Sequence, residues 1–117
     1  MASTPGAPDA GATIMVTLPG EIDMANAGRV GADLEAAFRP GVGVVIADMS
    51  GTRFCDTSGI HALVMAYKRA QASDTGFRVV AGPGEVRRVL EILRLDTVLA
   101  IYPRPDVALL ASDRKPA

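Results

Sequence analysis

The chain has 117 residues, enough for one domain and too few for two ordinary ones. Hydrophobic residues make up 49 % of it, which excludes wholesale disorder, and 12 basic against 13 acidic residues leave a net charge of −1, which disfavours direct nucleic-acid binding. The one cysteine, Cys55, excludes an internal disulfide and fits a reducing compartment.

The opening MASTPGAPDAGA shows no periodicity and reads as a flexible tail over residues 1–12. It lacks a basic n-region and an apolar h-region, so no signal peptide is expected. Apolar runs such as VGVVIA are far shorter than the ~20 residues of a membrane helix, and a cytoplasmic protein with no membrane contact is expected. Ile14, Val16 and Leu18 alternate with Met15 and Thr17, which predicts a strand over Ile14 to Leu18, with Gly20 to Asp23 at its end or just beyond. From Met24 to Phe38 the period turns helical, with Ala27, Val30, Leu34, Ala37 and Phe38 on one face. Pro40-Gly41 stops that helix.

VGVVIAD is apolar on both faces and predicts a central strand covered on both sides. MSGTRFCDT reads as a loop. A second helix is predicted from about Ser58 to Ala72, with Ile60, Leu63, Val64 and Tyr67 on its apolar face. FRVVA is a strand and GPG a turn. A third helix runs from Glu85 to Leu95 on Val86, Val89, Leu90 and Leu93. VLAIYP is a short strand, and Pro105 suits the first turn of a last helix containing Val107, Leu109 and Leu110. The order β-α-β-α-β-α-β-α argues an α/β domain over residues 13–112, its strands after the first mainly parallel, followed by a tail over 113–117.

The chemistry-bearing stretch is FCDTSGIHALV, residues 54–64. Asp56, Thr57, Ser58 and Gly59 sit where a helix begins, so one reading is an N-cap. One capping group suffices, however, and three stand in a row, which leaves a surplus hydroxyl free to face solvent. Gly59, without a Cβ, would let another chain approach closely. A phosphate on Ser58 would be tolerated by the helix N-terminus and repelled by Asp56, the profile of a local electrostatic switch. Catalysis by Ser58 with Asp56 and His61 would draw all three groups from one turn, unlike triads held by separate elements. His61 reads as a partly exposed surface residue. One His and one Cys make no ordinary zinc site, so no metal is expected.

Three features together resemble the anti-sigma factor antagonist branch of the STAS family, bacterial regulators of transcription: G-E-I-D at Gly20 to Asp23, the apolar strand leading through D-M-S-G-T-R-F-C to D-T-S-G-I at Asp56 to Ile60, and the helix ALVMAYKRA. The likeness runs from about Ile14 to Leu110. It implies a single STAS-like α/β domain, a mixed and mostly parallel sheet with about four packed helices. It implies phosphorylation of Ser58 by a serine kinase that is itself an anti-sigma factor, and resetting by a PP2C-type phosphatase. The unphosphorylated form would capture the kinase and free a sigma factor. Asp23, Asp56, Thr57, Ser58, Gly59 and His61 would form the partner surface. ATP and magnesium would belong to the kinase, so this chain would carry no cofactor and would not be an enzyme. A STAS-like subunit of a lipid-transport complex, or a stress-signalling scaffold, is the other reading, with the hydroxyl a docking contact that is never phosphorylated. The family strand ahead of GEID has a further strand before it, for which the Pro- and Gly-rich tail is poorly suited. Without it the sheet has an open edge, a contact through which the chain could form a homodimer.

Overall fold

The computed structural model describes residues 11–111. The expected tails fall almost wholly outside these residues. Ala12, assigned to the first tail by its composition, instead opens a strand.

Four parallel strands make the main sheet, in the order β1 (Ala12–Thr17), β3 (Val42–Asp48), β5 (Gly76–Val80), β6 (Ala100–Tyr102). A two-residue parallel pair, β2 (Glu21–Ile22) with β4 (Phe54–Cys55), stands apart from it. The helices are α1 (Ala27–Ala37), α2 (Thr57–Ala72), α3 (Glu85–Ile92) and α4 (Pro105–Leu110). All strand pairs among the described residues are parallel, the first included, because α1 carries the chain from β1 across to β3.

Strand alternation sorts the core into two layers. Val45, Ala47, Phe77 and Val79 face one way and pack with Val30 and Leu34 of α1, Leu63 and Ala66 of α2, and Val86 and Leu90 of α3. Val44, Ile46 and Val80 face the other way, with Ala108 of α4, Met15 and Tyr102. The expectation that VGVVIAD is covered on both sides is met. On the second layer the buried Arg78 reaches α4 and donates from Nη1 to the Ala108 carbonyl at 2.8 Å. On the first, α1 and α2 meet through small groups, Gly31 against Ala62, and are tied at their far end by Arg69 Nε to Glu35 at 2.7 Å.

Four boundaries differ from the sequence pattern. Pro19, with no N–H, interrupts the first strand; the chain steps sideways and resumes as β2 against β4. The stretch read as a loop, MSGTRFCDT, thus contains a strand. Met24 to Asn26 do not join α1, because side chains of this segment take up its backbone groups: Asn26 Oδ1 accepts from the Asp23 N–H at 3.0 Å, and the Asp23 carboxylate accepts from the Ala25 N–H at 2.9 Å. The third helix ends at Ile92, where Arg94 takes a left-handed conformation (φ 63°), and a single 3₁₀ turn, Leu95–Thr97, follows.

Candidate functional site

The site is built where β2 and β4 end. Their register sets Ile22 beside Cys55, and Asp56 N–H donates to the Ile22 carbonyl at 3.0 Å, extending the ladder by one rung. Asp23 and Asp56 therefore leave the two strands side by side. Ile22 and Cys55 point inward, Glu21 and Phe54 outward. The loop after β2 carries Asp23; the residue after β4 starts α2.

Asp56 is the N-cap of α2. Its Oδ1 accepts from the Ser58 N–H at 2.9 Å, from the Gly59 N–H at 3.3 Å and from the Ser58 hydroxyl. The cap reading is therefore met, by Asp56. Asp56 satisfies the helix, Thr57 is exposed, and Ser58 is half-buried at the rim with its hydroxyl held by the cap. The Ser58 hydroxyl, opposed in part by burial and helped less strongly by the Gly59 and Ser58 N–H groups, holds the Asp56 carboxyl below the usual carboxylate range. A depressed folded-state value means that the stabilisation is complete above the unfolded carboxylate range and is lost as pH falls through the lower folded value. We therefore expect the melting temperature to fall as pH drops below about 4. Asp56→Asn, which keeps the capping oxygen and loses the charge, should flatten part of that fall. Thermal melts of both chains between pH 2.5 and 7, taken as approximate limits of the titration, check this, and identical acid limbs would remove Asp56 from the explanation.

Gly59 corrects an expectation. It is buried rather than open to a partner. A Cβ built there would lie 2.5 Å from Cys55 Sγ and 2.7 Å from Ile22 Cγ2. The glycine lets the first turn of α2 sit directly on the β2–β4 pair, so its service is to hold Ser58 in place. Cys55 beneath it is buried, and its thiol is pushed up to about 11, first by burial and then by the Asp56 charge. It is protonated at neutral pH and inert as a nucleophile.

His61 lies on the exposed ridge of α2, as read from the sequence. The Ser58 hydroxyl is committed to Asp56, and no hydrogen bond joins Ser58 to His61 among the described residues. The geometry lacks the serine–base contact that a hydrolase needs. No group of three or more His, Cys, Asp or Glu side chains able to hold a metal occurs among the described residues. No helix among them is long and apolar enough to cross a membrane.

Three exposed apolar residues that the sequence did not single out are neighbours of these positions along the chain. Met24, next to Asp23, is 85 % exposed, Phe54 on the outer face of β4 is 49 % exposed, and Met65 is 49 % exposed one turn beyond His61. Exposed large apolar side chains beside a polar rim are the usual composition of a protein-binding surface. Their signal lies in tertiary exposure, which hydrophobic periodicity cannot report. A cavity of about 280 Å³ opens at the other strand ends, lined by Ser50, Thr52, Arg53 and the Gly82-Pro83-Gly84 turn. The Thr52 hydroxyl in it is already spent on the Pro19 carbonyl at 2.8 Å.

A family model described as the STAS domain matches residues 3–108. No curated protein matches the chain. Among solved structures, the Thermotoga maritima protein TM1081, described as a candidate anti-sigma factor antagonist, superposes with a TM-score of 0.68 at 20 % identity, over 81 % of this chain and 84 % of its own. Its solution structure gives 0.71 at 20 % identity, over 83 % and 78 %. The anti-sigma factor antagonist SpoIIAA in its unphosphorylated form gives 0.64 at 17 % identity, over 84 % and 86 %. At these identities the likeness establishes the fold.

Proposed function

The chain belongs to the STAS domain family, and from that premise we propose that it is an anti-sigma factor antagonist, switched by phosphorylation of Ser58. One observation carries the proposal. Ser58 sits at the accessible start of α2, its hydroxyl fixed by the cap residue Asp56, on a rim shared with Asp23, Thr57 and His61, with exposed Met24, Phe54 and Met65 near these positions along the chain.

The unphosphorylated rim binds a serine kinase that is itself an anti-sigma factor, so that a sigma factor is released. Transfer of a phosphoryl group to Ser58 replaces the hydroxyl donor by about two negative charges next to the Asp56 carboxylate. The helix N-terminus tolerates that charge, so the domain stays folded. The partner would have to cover two like charges with incomplete solvation, so it dissociates. Removal of the phosphate by a phosphatase of the PP2C type restores binding. In this scheme ATP and its metal are bound by the partner, and the chain contributes the acceptor and a docking surface, not an enzyme active site. The setting is the cytoplasm, and the role is control of transcription through a protein partner.

The test is a pull-down from the native cell with the full chain as bait. An ATP-binding serine kinase should be recovered by the native protein and by Ser58→Ala, and should be missing with Ser58→Asp. Equal recovery by all three baits would contradict the switch. Recovery of a transporter ATPase in place of a kinase would contradict the assignment of partner.

A further inference from the structure

The outer edge of β1 is a feature of the main sheet that the Ser58 site does not use. Among the described residues no strand pairs with it. Ala12 N–H bonds the Gly41 carbonyl at 2.8 Å and Leu18 N–H the Asp48 carbonyl at 2.9 Å, so the even-numbered residues turn their backbone groups toward β3. By strand alternation, Thr13, Met15 and Thr17 turn theirs outward. Among the described residues this edge carries none of the charges or prolines that commonly protect one. From Gly11 to Leu18 there is no charged residue and no proline, and the irregularity in the β1–β3 pairing lies at the Ala12/Thr13 end, leaving Thr13 to Thr17 regular.

The outward groups are complementary to themselves. Two copies related by a two-fold axis at Met15 would run antiparallel, with Met15 opposite Met15 and Thr13 opposite Thr17. Those are hydrogen-bonded pairs that use every outward N–H and carbonyl from Thr13 to Thr17. Ile14 would face Val16 across the axis on the helix-covered side. Each facing pair is therefore like with like: threonine with threonine, methionine with methionine, one β-branched aliphatic with another, pairs that favour cross-strand packing. Thr13 and Thr17 are exposed, and Ile14, Met15 and Val16 are half-buried, so each has surface left to cover. No like charges meet at the axis.

We propose that the chain forms a two-fold homodimer by antiparallel pairing of β1 with β1 of a second copy, making one eight-stranded sheet. A six-residue edge covers less than the ~800 Å² per partner of a standard stable interface. The association is therefore weak and set by concentration. It is independent of the Ser58 proposal, since it uses a different strand and a different class of contact.

Sedimentation of the full chain tests it. Between about 5 and 500 µM the mass should rise from that of one chain toward twice that value, as mass action requires. Thr13→Lys with Thr17→Lys sets lysine opposite lysine at both ends of the pairing and should weaken association about tenfold or more. Thr13→Lys with Thr17→Glu sets lysine opposite glutamate and should restore association to within about threefold of the native chain. Both positions are exposed with outward backbone groups, so the monomer fold, read by circular dichroism, should be unchanged. A native chain that keeps the mass of one copy throughout overturns the dimer. A double-lysine variant that associates like the native chain, or a lysine–glutamate variant as weak as the double lysine, overturns the antiparallel β1 pairing.

Discussion

Gly59→Ala should lower the unfolding free energy by about 2 kcal/mol, within the range for forcing an extra methyl group into a packed site. The added Cβ would lie 2.5 Å from Cys55 Sγ and 2.7 Å from Ile22 Cγ2, both on buried residues of the β2–β4 pair. Neither neighbour is the loose end of a long side chain, so α2 must lift or the pair must move. Alanine's better helix propensity opposes this by at most ~1 kcal/mol, less in a first turn, and the clash wins. Cys55→Ala in the same chain removes the nearer contact and should return part of the loss, while the Ile22 contact remains. Urea denaturation of the three chains reads these changes as shifts in midpoint at constant slope. A Gly59→Ala chain as stable as the native one would mean that α2 does not rest on the strand pair as described.

Ser58→Asp should weaken the partner complex by more than ~2 kcal/mol, roughly 30-fold, while the melting temperature barely moves. The two halves of this prediction have separate causes. In the free chain the new carboxylate stands at a helix N-terminus, where the macrodipole favours it and partly offsets repulsion by Asp56. In the complex the same carboxylate loses water beside a second one. Ser58→Ala, which removes the hydroxyl without adding charge, should stay within several-fold of native affinity. Calorimetric titration against the captured partner, with melts of each variant, separates the two effects. A Ser58→Asp chain that unfolds early would mark the loss of binding as a folding defect and contradict the surface role of Ser58.

Much of this architecture is legible in the residues, and the failures are informative. VGVVIAD could be read as doubly covered because its apolar run lacks alternation, and the two core layers on either side of β3 show why. Pro105 marked the start of α4, where it does occupy the first turn. Phe54-Cys55 could not be read as a strand, since a two-residue element has no period; it exists because a distant segment, Glu21–Ile22, pairs with it. The start of α1 was lost to the side chains of Asp23 and Asn26, which take up backbone groups that a helix would otherwise use. In the last helix the buried residue is Ala108, while Leu109 and Leu110 are exposed, because the six-residue helix turns Ala108 and not the two leucines onto the second layer.

At the site, residue type was enough to find Asp56 and Ser58, because a cap and a hydroxyl at a helix start have local signatures. It could not divide the work between them. The structure does so through one oxygen, Asp56 Oδ1, which serves two backbone N–H groups and the Ser58 hydroxyl together. Gly59 was misread for a related reason. A glycine beside a candidate site is equally consistent with access from outside and with packing from inside, and only the position of Cys55 and Ile22 decides.

The most direct measurement incubates the full chain with the captured kinase and ATP, maps the modified residue by mass spectrometry, and follows the complex as modification proceeds. The account predicts a single phosphate on Ser58, dissociation of the complex in step with it, and an unchanged melt for the released chain. A complex that persists with Ser58 fully phosphorylated, or a partner that binds tightly and leaves both Thr57 and Ser58 unmodified, would contradict it.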